Sequence, residues 1–438
     1  MFKTLSLNHK LFLLVFTVLI FGGLITGCSS KSGSSSENEG GKSNVTVIKI
    51  GVESGSLYAN WYKEIAPQFI EKTGIEVEFI DIPLDNMHTR FLTEAASGTG
   101  AIDIFTTDQP WISEFAEKGF LEPLDDMLAE EDIEDFIPSA LETVQYNDKI
   151  YALPYLVHTP VLYYRTDLFE EAGLSGVPET LEEFREYAKE LNDPTNEVFG
   201  TVVEGKQATE PTIHLMDYFL QFGGGLMEGD EVIIDSPENR EALNYMLTLQ
   251  HEDESSPKGA VSYDNADVHN LFLQGKVAMA INWPYMYSMA NDPSQSKVAG
   301  KFEVAALPKG KKQASAALSW GFGISSSSKN KEAAIEWLKW STSKEIMVEF
   351  GKEFINPISR NSAIEELNRD ESLEEEDRKA IETMSKAVEF GQNVTTHPKF
   401  PQIQQRLMFT LSRVMTQQST PEEELELTDA DVQDIVND

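Results

Sequence analysis

Two alternating segments, VTVIKIGV at residues 45–52 and IEVEFIDI at residues 75–82, decide the fold of the chain. Their alternation and their β-branched residues are typical of strands. Residues 61–72, between them, carry apolar side chains at helical spacing, and Gly74 ends that helix. A third strand is expected at residues 101–106. Strands that alternate with helices at this spacing predict βαβ units, and therefore an α/β fold with a parallel sheet.

The same alternation continues beyond residue 153, where a second block begins. We expect it to contain strands at 161–165, 276–281, 302–307 and 319–324, and helices at 181–191, 211–222, 239–250, 266–274 and 329–341. From Ile364 on, the pattern predicts acidic helices and then a solvated tail after Thr420.

The chain of 438 residues is strongly acidic, with 35 Lys+Arg against 73 Asp+Glu and a formal net charge of −38. Such a surface offers no counter-charge to phosphates, which argues against a nucleic-acid partner. It also disfavours adsorption to an anionic membrane surface. Our interpretation of the excess is a solvated, self-repelling surface, and a cation-attracting site is the alternative.

The N-terminal residues are typical of a secretory signal. Lys3 and Lys10 precede the apolar run 11–21, which is short for a membrane span. The sequence ITGC then ends at Cys28, the one cysteine of the chain, and resembles a bacterial lipobox. We therefore expect lipidation of Cys28 and an extracytoplasmic, membrane-anchored protein; a signal peptide that happens to carry a cysteine is the alternative. The Ser/Gly-rich residues 28–44 are predicted to be a tether.

Four segments together resemble one family, the extracellular solute-binding proteins of carbohydrate ABC importers, in its maltose-binding-protein-like group. They are DIFTTDQPWISEFAEKGFLEPLD (103–125), KIYALPYLVHTPVLYYRTDLFEEAG (149–173), FLQGKVAMAINWPY (272–285) and SWGFGISSSSKNKEAAIEWLKW (319–340). Each segment is a weak signal alone. Their order along the chain, behind a lipobox, makes the resemblance specific.

The resemblance implies a two-lobed periplasmic-binding-protein-like fold (type II) whose lobes close over a ligand. Lobe one would comprise residues 45–153 plus 283–328, and lobe two residues 154–282 plus 329–438. The implied function is capture of a sugar or oligosaccharide and its delivery to the permease subunits of an ABC transporter. A monomer is expected, and neither a cofactor nor a metal is implied.

A sugar site needs flat aromatic surfaces for C–H faces and polar groups for hydroxyls. Trp283 and Trp320 stand at strand ends, where the family places stacking platforms, and Trp111 and Tyr285 are further candidates. The remaining tryptophans are interpreted as core residues, and these are Trp61, Trp337 and Trp340.

Four polar candidates follow strands or lie near the expected hinge. Asp108 is either a helix N-cap or a hydroxyl acceptor, and Glu53 follows the first strand, where open α/β sheets bind ligands. Tyr155 and His158 fall at the hinge crossing, where several sugar-binding relatives have Asp in place of His158. A buried histidine bonded to backbone is the alternative for that residue. Asp217 is interpreted as a solvated carboxylate.

The sequence leaves two alternatives to a sugar-binding protein open. The chain contains no HExxH, GxSxG or Walker-type phosphate motif, and carboxylate pairs for glycoside hydrolysis could be assembled almost anywhere in so acidic a sequence. A surface-anchored glycoside hydrolase and a binding protein for a non-sugar polyhydroxylated ligand remain the alternatives. We expect no enzymatic activity.

Overall fold

A computed structural model describes residues 45–229, 231–394 and 397–438 of the protein. The expected signal, Cys28 and the tether lie outside the described residues. Residues 45–438 form one compact unit. No helix within the described ranges combines the length and the apolar character needed to cross a membrane.

The larger sheet has five strands. Their spatial order is Glu76–Ile82, Val47–Glu53, Ile104–Asp108, Leu318–Ile324 and Leu153–His158. The first three strands are parallel, as the alternation of strands and helices predicted. Leu318–Ile324 runs antiparallel to both of its neighbours. The carboxyl ends of the other four strands therefore lie at one edge of the sheet, beside the amino end of Leu318–Ile324.

The second sheet has three strands, with Val161–Arg165 between Met279–Asn282 and Phe302–Ala305. Both outer strands are antiparallel to the central one. Asn282 pairs with Val161. The carboxyl end of Met279–Asn282 therefore lies beside Val161, the first residue of the central strand.

Helices cover both sheets and are joined by short strand pairs and single-turn helices. The helices are Leu57–Thr73, Leu84–Ser97, Gln109–Glu117, Glu130–Glu134, Pro138–Glu142, Thr166–Ala172, Leu181–Glu190, Thr209–Phe222, Pro237–Leu247, Asn265–Leu273, Met286–Asn291, Lys331–Ser341, Lys344–Phe354, Asn361–Arg369, Glu375–Val388, Phe400–Met415 and Pro421–Asn437. The short strand pairs are Gln145–Tyr146 with Lys149–Ile150, Met227–Glu228 with Glu231–Val232, and Ser315–Ala316 with Gly391–Gln392.

The cores show which helices belong to which sheet. The first core joins the five-stranded sheet to residues 331–367, and Trp337, with none of its surface exposed, packs edge-on to Phe69 and Phe322 within it. Two further cores surround the second sheet, and they include helices from 181 to 291 and from 375 onward. Trp337 and Trp340 are therefore core residues, as expected, and half-buried Trp61 packs against the same core.

This packing differs from the lobe boundaries expected from sequence. The strand Phe302–Ala305 pairs with the second sheet, although it was expected in lobe one. Residues 331–367 pack on the first sheet, although they were expected in lobe two. Sequence periodicity identifies these elements but not the sheet on which each one packs. We propose residues 45–158 plus 318–369 for lobe one and 161–305 plus 375–438 for lobe two.

The prediction of a solvated tail after Thr420 is wrong. Thr420 caps the helix Pro421–Asn437 in a capping box with Glu423. Leu425 and Val432 on that helix are buried in a core of the second sheet. The acidic composition concealed the apolar residues that recur at helical spacing on one face.

Candidate functional site

The carboxyl-terminal edge of the five-stranded sheet gathers most of the predicted polar candidates. Glu53, Asp108 and His158 are the last residues of three of its strands, and Trp320 lies near the amino end of the antiparallel strand beside them. Trp320 pairs directly with Asp108. The four residues share an edge because parallel strands end on the same side and the antiparallel strand begins there.

Trp320 forms one wall of this edge. Its ring lies 5.9 Å from that of buried Trp111, at an interplanar angle of 81°, which is an edge-to-face pair. Trp320 is half-buried, and it lines a narrow cavity together with Glu53, Tyr155 and Thr106. The aromatic ring and the carboxylate therefore face the same space.

Asp108 occupies the N-cap position of the helix Gln109–Glu117, but its side chain makes no capping hydrogen bond. It is 8% exposed, and its Oδ1 has no hydrogen-bond partner among the described residues. Burial, followed by the negative charges of Glu210 and Glu53, holds the pKa of Asp108 well above its usual value, although the Gln109 amide lowers it. The side chain of Asp108 therefore does not cap this helix.

Tyr155 lies beneath the cavity in an aromatic cluster. Its ring is 5.1 Å from Phe322, 5.5 Å from Tyr62 and 6.3 Å from Tyr58. Burial is the main cause that raises the pKa of its hydroxyl. Tyr155 therefore remains a neutral hydroxyl with a largely packed ring.

His158 and Trp283 meet across the point where the chain passes from one sheet to the other. Their rings are stacked, with centroids 4.5 Å apart and planes at 29°. Burial lowers the pKa of His158 to about 3, so the imidazole is neutral. Its Nδ1 has no hydrogen-bond partner among the described residues.

Glu210 is a site residue that the sequence analysis missed. It lies in the first turn of the helix Thr209–Phe222, and its Oε2 accepts a 2.7 Å hydrogen bond from Trp283 Nε1–H. Burial raises the pKa of Glu210, while His214 and the Trp283 indole lower it. The charge of Glu210 in turn raises the pKa of Glu53, where burial is the larger cause. Nothing in local sequence distinguishes Glu210 from the other acidic residues, because the contact that places it in the site, the hydrogen bond from Trp283, is long-range.

Tyr285 completes the second-sheet side of the site. Its hydroxyl lies 2.9 Å from His269 Nδ1, within hydrogen-bond range. Burial, followed by the charges of Glu210 and Glu204, raises its pKa. The structure thus places all eight predicted ligand-binding residues in two groups, one from each sheet, and the charge of Glu210 reaches from the second group to Glu53 and Asp108 in the first.

Comparison with known proteins supports the same fold. Residues 54–348 match the model of the family described as "Bacterial extracellular solute-binding protein". The chain belongs to this family. The match covers more than half of the chain and includes all of the predicted site residues except Glu53.

Relatives and solved structures agree with this assignment. A mannitol-binding protein of Pseudomonas aeruginosa is 30% identical over 277 residues, which are 62% of this chain and 63% of the relative. A solute-binding protein of an ABC transporter from Thermotoga lettingae, solved with α-D-tagatose, is similar at 28% identity and a TM-score of 0.81, covering 89% of this chain and 100% of that one. Another, from Agrobacterium radiobacter with ribitol, has 27% identity and a TM-score of 0.79 over 88% and 98%.

The architecture is therefore the two-lobed type II fold of periplasmic binding proteins, as the resemblance implied. The two sheets have separate cores, and the two groups of site residues come one from each sheet. Hydroxyl-bearing ligands could find carboxylate acceptors, aromatic surface and a neutral imidazole between the groups. Among the described residues, no three His, Cys, Asp or Glu side chains are arranged to hold a metal ion.

Behind Trp283 this solute-binding protein contains a buried ionisable network. His214 lies 3.3 Å from Asp217 and 3.8 Å from Glu204, and its ring is 5.8 Å from that of Trp283. Asp217 Oδ1 accepts a 2.7 Å hydrogen bond from the backbone amide of Ala316. Ala316 lies in the segment 306–317, which connects the two sheets. The interpretation of Asp217 as a solvated carboxylate is therefore wrong; it ties a second-lobe helix to that segment.

The charges of the network depend on one another. Burial by itself would lower the pKa of His214, but Glu204, Asp217 and Glu210 outweigh it and raise the pKa to about 9. Burial raises the pKa of Glu204 to about 8, although His214 lowers it. The network is therefore expected to hold an imidazolium at neutral pH.

This network predicts a loss of stability in alkali. A histidine whose pKa is raised on folding stabilises the protein fully below its unfolded value near 6.5, and that contribution disappears as pH rises through about 9. We expect the free energy of unfolding to fall by on the order of 1–3 kcal/mol between pH 6.5 and pH 9.5. Urea unfolding at a series of pH values measures it. His214→Gln should be less stable at pH 6.5 and show a flatter profile; a variant that keeps the full decline would contradict the assignment.

Proposed function

We propose that the protein is a lipid-anchored, extracytoplasmic binding protein that captures a sugar or a sugar alcohol between its lobes and delivers it to an ABC importer. The observation that carries the proposal is the pairing of aromatic and carboxylate groups from both lobes at one sheet edge. Trp320, Asp108 and Glu53 belong to the first lobe, and Trp283 and Glu210 to the second.

The site chemistry suits a polyhydroxylated ligand. Carboxylates accept hydrogen bonds from hydroxyls, and such charge-assisted bonds are the stronger kind. The half-buried ring of Trp320 offers a flat apolar surface for a C–H face. The related proteins whose names specify mannitol, tagatose and ribitol support the same class of ligand, small sugars and sugar alcohols.

The proposed transport depends on closure of the two lobes over the ligand. A ligand that contacts both lobes stabilises the closed arrangement by its differential affinity for the two states. We infer that permease subunits recognise the closed, loaded form of a monomeric protein. The family and the related ABC transporter binding proteins support this partner.

Trp320→Ala tests the proposal directly. The mature protein is titrated with a panel of sugars and sugar alcohols while its melting temperature is recorded and the sugars are followed by chromatography. We expect at least one compound to raise the melting temperature and to remain intact, because ligand at 100 times its dissociation constant adds about 2.7 kcal/mol. Trp320→Ala should abolish that shift, and Trp61→Ala, whose side chain does not line the cavity, should retain it. Cleaved sugar would support the hydrolase alternative, and no shift by any compound would refute the proposal.

Trp283→Phe separates two roles for this indole. His158 covers one face of Trp283 and its N–H is bonded to Glu210, so we infer that Trp283 positions the carboxylate rather than serving as an open stacking platform. Phe keeps the ring but removes the donor, and hydrogen bonds to charged groups contribute about 1.5–3 kcal/mol. Affinity for the compound found in the panel should therefore fall about tenfold to a hundredfold, measured by calorimetry.

The double variant provides the control for this assignment. Glu210→Gln should lose a similar factor, and Trp283→Phe combined with Glu210→Gln should lose little more than either change alone. Near-wild-type affinity in Trp283→Phe would instead show that the ring, and not its N–H, matters for binding.

Cys28→Ala tests the proposed anchor. Cells that express the full chain are given a fatty acid with a chemical label, and the protein is followed in membrane and soluble fractions. The wild type should carry the label and sediment with membranes, since two or more acyl chains give stable anchoring. Cys28→Ala should lose the label, whereas Ser29→Ala should keep it. A wild-type chain without label would refute lipidation.

A further inference from the structure

Three carboxylates, Glu53, Asp108 and Glu210, lie around the crossing between the two sheets, and no lysine or arginine among the described residues is paired with them. On this basis we propose, building on the binding function above, that the natural ligand is polyhydroxylated and also carries a basic nitrogen, as amino sugars and amino alditols do. Its ammonium group would lie among Glu53, Asp108 and Glu210, and its hydroxyls would contact the remaining site residues.

The geometry brings the three charges together from separate elements. Glu53 and Asp108 end neighbouring parallel strands that are in register at Gly51 and Phe105. Glu210 comes from the other lobe, and the 2.7 Å hydrogen bond from Trp283 fixes its carboxylate. Its charge acts on both of the other two. Closing the lobes therefore moves like charges toward one another.

Neither lysine nor arginine forms an ion pair with these three carboxylates in the described part of the chain. The protein does supply such partners elsewhere: Glu424, 1% exposed, is held by Arg406 at 3.0 Å and by Arg413 at 2.7 Å. The cation that acts on Glu210 is His214, which Glu204 and Asp217 also share. Within the described residues the protein therefore supplies no lysine or arginine that would hold these three carboxyls in their charged form.

Unpartnered buried atoms at the same place point independently to a ligand. Asp108 Oδ1, on a side chain 8% exposed, and Thr106 Oγ1, on one 5% exposed, have no partner among the described residues. The same is true of His158 Nδ1. A buried acceptor without a donor is costly, and a carboxylate more so. These atoms are expected to receive hydrogen bonds from what binds there.

An ammonium group satisfies these conditions better than a hydroxyl. It has three donors and no acceptor, so all its hydrogen bonds can go to the carboxylates and Thr106. It also supplies the missing positive charge, whereas a neutral hydroxyl leaves the mutual repulsion of the carboxylates in place.

Matched pairs of compounds test the proposal. Calorimetry at pH 7 compares D-glucosamine with D-glucose, and 1-amino-1-deoxy-D-sorbitol with D-sorbitol, because each pair exchanges one hydroxyl for an amine that is protonated at this pH. We expect an amine to bind at least tenfold more tightly than its hydroxyl counterpart. This advantage should shrink as sodium chloride is raised, since salt screens charge.

A charge-removing variant and its matched control complete the experiment. Glu210→Gln should abolish the preference for the amine. Glu182→Gln removes the same charge from the first turn of another second-lobe helix, at an exposed position, and should keep the preference. Equal or tighter binding of the hydroxyl compounds would overturn the basic-nitrogen proposal and leave the binding function standing. Failure of these four compounds and of the whole sugar panel would refute both.

Discussion

The crossing between His158 and Val161 is the constraint on which the site depends. Only Thr159 and Pro160 separate the last residue of a strand in the first sheet from the first residue of a strand in the second. So short a connection holds the carboxyl-terminal edge of one sheet beside the entry edge of the other. Because Asn282 pairs with Val161, Trp283 is brought directly to this connection, where it stacks on His158.

The polar network follows from that contact. One face of the Trp283 ring stacks on His158, and its N–H donates a hydrogen bond to Glu210. The indole therefore fixes the carboxylate of Glu210 relative to the connection between the sheets. The same helix carries Asp217, which is bonded to the backbone of a second connecting segment at Ala316. Two of the connections between the sheets are thus joined to one helix through buried polar groups, which are stable only when they are paired.

The sequence predicted the local elements well and their packing less well. Alternation over 45–52 and 75–82 identified the strands Val47–Glu53 and Glu76–Ile82. The helix expected at 181–191 is Leu181–Glu190, which Thr180 caps in a capping box. Periodicity reports which face of an element is apolar but not the sheet that will cover it. For this reason the strand Phe302–Ala305 and the helix Lys331–Ser341 pack with sheets other than those expected from sequence.

The site shows the same limit. Strand ends are visible in sequence, and through them Glu53, Asp108 and Trp320 could be found. Glu210 could not, since it is one of 73 acidic residues and the residue that selects it, Trp283, is distant in the chain. His214 and Glu204 were missed for the same reason. Their burial, which raises the pKa of Glu204 to about 8, arises only from tertiary packing.

The acidity of the chain has two separate physical meanings. Many of its carboxylates are solvated, and exposed pairs such as Lys386 with Glu382 contribute little to stability. They keep the surface negative and raise the local concentration of cations over the whole molecule. Glu53, Asp108 and Glu210 differ because burial raises the pKa of each, so each carries its negative charge only when a positive group lies at short range. A solvated surface can be explained by composition alone, whereas a desolvated group of like charges at a lobe interface calls for a bound counter-charge.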